Sequence, residues 1–230
     1  MKHNRVLLSC FVSIILLLTL TGCTQQSNQS QVPPTKASVL TMLGKAENIT
    51  SMYYDINGTL TMNGINGSSN MTSLMTQLLK IKVWDKKPYL KEQITVTVVG
   101  IPATVQIIQR PEGTYVYNAL TKKWNLTSGI PSYVTALKYI DPAMIKDLLN
   151  NQTVTNFPTQ TIDGKQTTLI NLTIGMLNNQ SIIISVWIWN DMGVPLKAIL
   201  TFNTDIKMSL SFLFSNYSFE TIPDSEFNVT

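Results

Sequence analysis

From Ser51 onward, apolar and polar side chains alternate with a period of two, and one long stretch breaks that rhythm with a helical one. Tyr54, Ile56, Leu60 and Met62 share one parity; Asp55, Asn57, Thr59 and Thr61 share the other. Leu79, Ile81 and Val83 alternate with Lys80 and Lys82, and Ile94, Val96 and Val98 alternate with Thr95 and Thr97. The alternation resumes over Thr104 to Gln109 and in Tyr115-Val-Tyr117. Turn residues separate these runs: Asp85-Lys-Lys-Pro88, Gly100-Ile-Pro102 and Pro111-Glu-Gly113. Strands that alternate between tight turns predict an antiparallel meander with one buried face. A second meander is predicted over Thr153 to Ile162, Thr167 to Ile174, Ser181 to Trp189, Pro195 to Phe202 and Lys207 to Ser215. Its turns are Asp163-Gly164 and Asn190-Asp-Met-Gly193.

Helical spacing occurs twice in the same region. Val39, Leu40, Leu43, Ala46 and Ile49 predict a helix over Ala37 to Ile49. Between the meanders, Pro131 to Leu149 carries Tyr133, Val134, Leu137 and Ile140, then Ile145, Leu148 and Leu149. Asp141-Pro142 reads as an N-cap followed by proline at the first helical position, so two short helices are expected here. The pattern therefore predicts an α+β fold: two antiparallel meanders with helical segments before and between them.

The first 23 residues have a different pattern. Lys2 and Arg5 precede an apolar run from Val6 to Leu20, which ends in Leu20-Thr21-Gly22-Cys23. The order basic, apolar, small reads as a signal peptide over residues 1–22. Leu-Thr-Gly-Cys resembles the lipobox of prokaryotic lipoproteins. That resemblance implies acylation of Cys23, cleavage before it, and a chain held by lipid on the extracytoplasmic face of the cell membrane. Residues 23–35, rich in Gln and Ser and containing Pro33-Pro34, form a flexible tether. Residues 36–230 form one domain, long enough for a real core.

Composition narrows the chemistry. His3, the sole histidine, and Cys10 both lie in the signal, so beyond Cys23 the domain has no imidazole, thiol or disulfide. Serine–histidine and cysteine–histidine catalysis and His/Cys zinc sites are excluded. Asp224 and Glu226 read as part of a solvated tail. No catalytic, metal or cofactor site is expected, and the chain is not read as an enzyme. The formal net charge is +4, or +2 without Lys2 and Arg5, and the only other arginine is Arg110, beside the turn residue Pro111. Nucleic acid is not an expected partner.

Asparagine is placed unusually. Asn28, Asn48, Asn57, Asn66, Asn70, Asn125, Asn151, Asn171, Asn179, Asn216 and Asn228 each begin an Asn-X-Ser/Thr sequon without proline, 11 of the 19 asparagines. About four would arise by chance at this Ser/Thr content, so the excess points to a surface glycoprotein. Asn57, Asn125, Asn151, Asn171 and Asn179 are the candidate N-glycosylation sites. Asn57 and Asn171 fall on the polar parity of their strands and Asn125 lies between Trp124 and Leu126. Asn216 shares parity with Leu210, Phe212 and Phe214, so either the strand ends or bulges near Ser215 or Asn216 is unmodified. Dense sequons together with a lipobox suggest an archaeal surface protein.

Several phrases resemble the lipoprotein-carrier superfamily (LolA/LppX-like). They are the first helix running into ITSMYYDINGTLT, then RPEGTYVYNALTKKWN, TIDGKQTTLINLT, SVWIWNDMGVPLKAIL and the closing TIPDSEF, across residues 36–227. The resemblance implies an open, curved antiparallel half-barrel with a few helices over its concave face, enclosing a space for acyl chains or other apolar ligands. The inward parity fits such a lining: Ile94, Val96, Val98, Ile184, Val186, Ile188, Leu200, Phe202, Phe212 and Phe214. The expected function is non-covalent binding of a lipid, a lipoprotein acyl chain or another hydrophobic molecule. The competing expectation is a surface sensor or interaction module of the same fold with a filled core.

Overall fold

A computed structural model describes residues 33–63, 75–98, 100–127, 137–176, 180–204 and 207–229. Cys23, the signal segment, most of the tether, Tyr133, Val134 and the sequon residues Asn28, Asn66, Asn70 and Asn179 lie outside these residues. Among the described residues no helix is long and apolar enough to cross a membrane.

The domain is an α+β half-barrel built on one curved, open, antiparallel sheet. Its strands are β1 (Ser51–Asn63), β2 (Met75–Lys86), β3 (Tyr89–Val98), β4 (Ile101–Arg110), β5 (Gly113–Asn118), β6 (Lys123–Thr127), β7 (Thr159–Ile162), β8 (Lys165–Gly175), β9 (Ser181–Trp189), β10 (Pro195–Asn203) and β11 (Lys207–Ser218). Their order across the sheet is β6-β5-β4-β3-β2-β1-β11-β10-β9-β8-β7. Each meander pairs with itself through hairpins, and the two halves meet where β1 lies beside β11, from Tyr53 opposite Ser218 to Asn63 opposite Lys207. The predicted strand over Thr153 to Ile162 shrinks to β7. Pro158 has no N–H to give a ladder, so pairing starts after it.

The inner face is the predicted parity. Ile56, Ile81, Val83, Ile94, Ile170, Ile184, Val186, Leu200 and Phe212 are buried together in one core. Helix α1 (Lys36–Glu47) closes part of it. Thr35 starts the helix with a reciprocal cap: its hydroxyl accepts from the Ser38 N–H, and its own N–H donates to Ser38 Oγ at 2.9 Å. Val39, Met42, Leu43 and Ala46 are the buried stripe. The helix rests on the β9–β10 turn. Gly193 has φ +74°, and a Cβ there would lie 2.3 Å from the Met42 carbonyl oxygen. Lys45 Nζ donates to the Asn190 carbonyl at 2.8 Å from the same helix.

The second helical segment is a 3₁₀ turn, Lys138–Ile140, then α2 (Pro142–Asn150). Asp141 caps α2 as expected, accepting from the N–H groups of Ala143 and Met144 at 2.9 and 3.2 Å. Ile145 and Leu149 join the core. Lys36 Nζ donates to the Gln152 carbonyl at 3.0 Å, and Lys146 pairs with Glu47, tying α2 to α1.

The outer face carries a second apolar cluster. The C-terminal segment crosses it with Ile222 and Phe227, which pack on Ile108 with Trp84, Tyr89 and Trp124 around them. Asp224 pairs with Lys86, and Glu226 pairs with Lys91 at 2.7 Å. This corrects the expectation of a solvated tail for Glu226, which is partly buried; Asp224 stays solvated, its side chain 84% exposed. Two apolar side chains bring the segment down onto the sheet, and the carboxylates meet lysines already projecting from β2 and β3.

Candidate functional site: a cavity under the second helical segment

The curved sheet is incompletely covered at one end. A cavity of about 570 Å³ opens between the inner face and the Leu137–Asp147 segment. The start of β1 contributes Met52, Tyr54 and Ile56, the end of β2 Asp85, the start of β3 Leu90 and Glu92, and the end of β4 Gln109. Val194 and Pro195 at the start of β10 and Phe214 and Tyr217 near the end of β11 form the opposite wall. Leu137, Ile140, Pro142 and Met144 form the roof, with Lys138, Asp141 and Asp147 beside them. Most of the wall is aliphatic, aromatic or thioether, with a few polar groups, the usual makeup of a small-molecule site.

The aromatic wall is ordered. The rings of Tyr54 and Tyr217 stack with centroids 5.2 Å apart, and Phe214 lies 6.1 Å from Tyr54. The Tyr217 hydroxyl donates to the Pro195 carbonyl, which fixes the ring against β10. Burial pushes both phenols well above the usual tyrosine range, so both stay neutral.

Glu92 is the unusual member. It is only 3% exposed, stands on the inner parity of β3 between Leu90 and Ile94, and faces Val83 and Ile107 on the adjoining strands. Its Oε2 is buried with no hydrogen-bond partner. Desolvation alone pushes its carboxyl up to about 7. Asp85 is raised as well, chiefly by burial, with Lys87 pulling the other way.

The ten side chains expected to line a cavity divide by depth. Phe214 lines it. Ile94, Ile184, Val186, Ile188, Leu200 and Phe212 are fully buried core residues, and Val96 and Phe202 pack against the same core from its margin. Val98 is in β3, with its side chain outside the described ones. The structure thus gathers all the described members on one face but brings only Phe214 to the open end. Strand parity assigns a face; it does not say where along the strands the helices leave a gap. Tyr54 and Ile56 carried the correct parity signal. Glu92 carries the same signal in the sequence, a lone acid in phase with Ile94.

Arg110 lies away from the cavity wall and pairs with Glu112 of the β4–β5 turn at 2.7 Å. Asn57, Asn125, Asn151 and Asn171 are solvent-exposed. So is Asn216, because two β11 residues, Asn216 and Tyr217, oppose the single β1 residue Tyr54 between the Tyr53–Ser218 and Asp55–Ser215 pairs. Asn216 sits in this bulge at φ +55°, which turns it out of the inner parity.

No protein-family model and no curated protein matches the chain. Among solved structures it is similar to a LolA superfamily protein, NE2245 of Nitrosomonas europaea, at 12% identity and TM-score 0.36, over 85% of this chain and 98% of that one. It is similar to LprF of Mycobacterium bovis at 13% identity and TM-score 0.42, over 83% and 96% of the two chains. A putative outer membrane lipoprotein-sorting protein domain from Vibrio parahaemolyticus gives 10% and 0.28, over 84% and 96%. At identities and TM-scores this low, the likeness carries nothing about ligand or activity.

Proposed function

We propose that this chain is a lipid-anchored surface protein that holds a lipid or another hydrophobic molecule, without covalent chemistry, in the cavity between the sheet and the Leu137–Asp147 segment. The cavity carries this reading: about 570 Å³ of space with a largely apolar wall under a short helical roof. Apolar surface leaving water contributes about 25 cal/mol per Å², so an alkyl chain is the natural occupant. The anchor rests on the leader pattern ending at Cys23. Lipidation there would hold the domain beside a membrane at the end of a tether, within reach of amphiphiles that leave it.

Native mass spectrometry of the full chain released from a neutral membrane mimic tests the reading. One amphiphile per chain, retained after the mimic is stripped and lost on unfolding, is the expected result. A chain that emerges empty and takes up no added fluorescent lipid contradicts it.

A further inference from the structure

Glu92 is costly where it stands. A carboxylate in an apolar wall loses its hydration, and nothing described here replaces it. A strand needing only burial at this position would carry an aliphatic residue, as it does at Leu90 and Ile94 on either side. Glu92 lines the cavity, and its Oε2 is sealed from solvent with no hydrogen-bond partner, so a positive charge entering the cavity would offset the cost of the buried carboxylate.

The surrounding charges select the kind of partner. Asp85, Asp141 and Asp147 line the same space, against Lys138 as the one cationic side chain of the wall among the described residues. An anionic head would face four carboxyl groups. A zwitterionic phospholipid head would bring its phosphate among them. A cation would meet a carboxylate in a low-dielectric setting, where a charge-assisted hydrogen bond is strongest. Aromatic rings also attract cations, and Tyr54 and Tyr217 stand in the same wall.

We propose that the cavity is selective for cationic amphiphiles, single alkyl chains ending in an ammonium group, with the nitrogen held by Glu92 and the chain along the apolar wall. This rests on the cavity being a ligand site and names the class of ligand. No bond is made or broken.

The test uses the full chain in phosphatidylcholine nanodiscs, with empty nanodiscs subtracted, titrated calorimetrically with dodecylamine, dodecanol, dodecanoate and lysophosphatidylethanolamine. At pH 8 dodecylamine is expected to bind at least about tenfold more tightly than the other three, the gain from one buried charge-assisted contact. Glu92→Gln should remove most of that preference. In the wild-type chain the preference should also shrink as pH falls from 8 to 5.5 and Glu92 takes up a proton. The other groups facing the site are Tyr54 of β1, Asp85 of β2 with Lys87 beyond it, Lys138, Asp141 and Asp147 of the helical segment, and Tyr217 of β11. Both tyrosines stay neutral over that range. Because burial raises Asp85 too, the pH series is repeated on Asp85→Asn, where Asp85 cannot supply the shift, so it decides the matter even if Glu92→Gln folds poorly. Equal affinities for amine and alcohol at pH 8, or a preference unmoved by pH, overturn the cationic selectivity and leave the cavity standing. Tight lysophosphatidylethanolamine binding overturns it in favour of a lipid headgroup. No binding of any probe overturns the cavity reading itself.

Discussion

Glu92 couples the ligand-free domain's stability to pH, and the sign follows from its raised pKa. In the unfolded chain the carboxyl titrates near 4.5; in the folded domain desolvation moves it to about 7. Between those values the folded state holds a proton that the unfolded state has released, so stability falls as pH rises from about 4.5 to 7 and then levels. At about 1.4 kcal/mol per unit the loss is about 3 kcal/mol. Glu92→Gln cannot ionise and should escape it. Urea midpoints measured at pH 4.5 and pH 8 on both proteins isolate this group, because every other carboxyl is common to the two. The variant should be the more stable at pH 8 by most of that amount, and the gap should close at pH 4.5. A gap independent of pH would mean that the site is better solvated than its burial implies. Such a residue is hard to value in a sequence. Lys91-Glu92-Gln93 looks like an ordinary polar run until the strand phase set by Ile94 is carried two residues back.

At the scale of elements, what was legible depended on whether the signal was local. Helix α2 begins at the expected cap, Asp141, because a cap acts on its own next turn; Thr35, which the sequence pattern assigns to the tether, caps α1 in the same local way. Meander strands followed their turn residues to within a few positions. The C-terminal segment departs from its sequence pattern because its signal is not local: Lys86, Tyr89 and Lys91, which it meets, come over a hundred residues earlier. Phe227 is what holds this segment down. It is 2% exposed and its ring lies 5.5 Å from that of Tyr89. Phe227→Ala should cost about 3 kcal/mol, the usual loss for emptying a buried phenylalanine site. Because the segment lies on the outer face, the variant should still retain amphiphile at temperatures where it stays folded. Denaturation midpoints together with ligand retention check both halves of this expectation. Breaking only the exposed Lys86–Asp224 pair with Asp224→Asn should change stability by less than about 1 kcal/mol.

For the molecule as a whole, the proposed function requires an apolar guest to lie where the helices leave the inner face uncovered. Two meanders meeting at β1 and β11 make one continuous inner surface, and every residue of the right parity faces it. The helices decide what remains open. Val39, Met42 and Leu43 of α1 and Ile140, Ile145 and Leu149 of the second helical segment join the inner side chains of β9 and β10 in one close-packed core. The Leu137–Asp147 segment stands off the strand ends and leaves the cavity. Substitutions in the two regions should therefore behave oppositely. Met144→Trp places a larger ring from α2 into the roof of the cavity; it should reduce amphiphile retention severalfold while lowering stability by less than about 1.5 kcal/mol, since the space is already there. Ile184→Ala and Leu200→Ala empty core positions; each should cost about 2–5 kcal/mol and leave retention unchanged while the chain is folded. Retention by native mass spectrometry and midpoints in urea on the same three proteins separate the two effects. If Ile184→Ala released the guest and Met144→Trp kept it, the guest would lie deeper, among the strands beneath α1, and the gap at the sheet's end would be only an entrance to it.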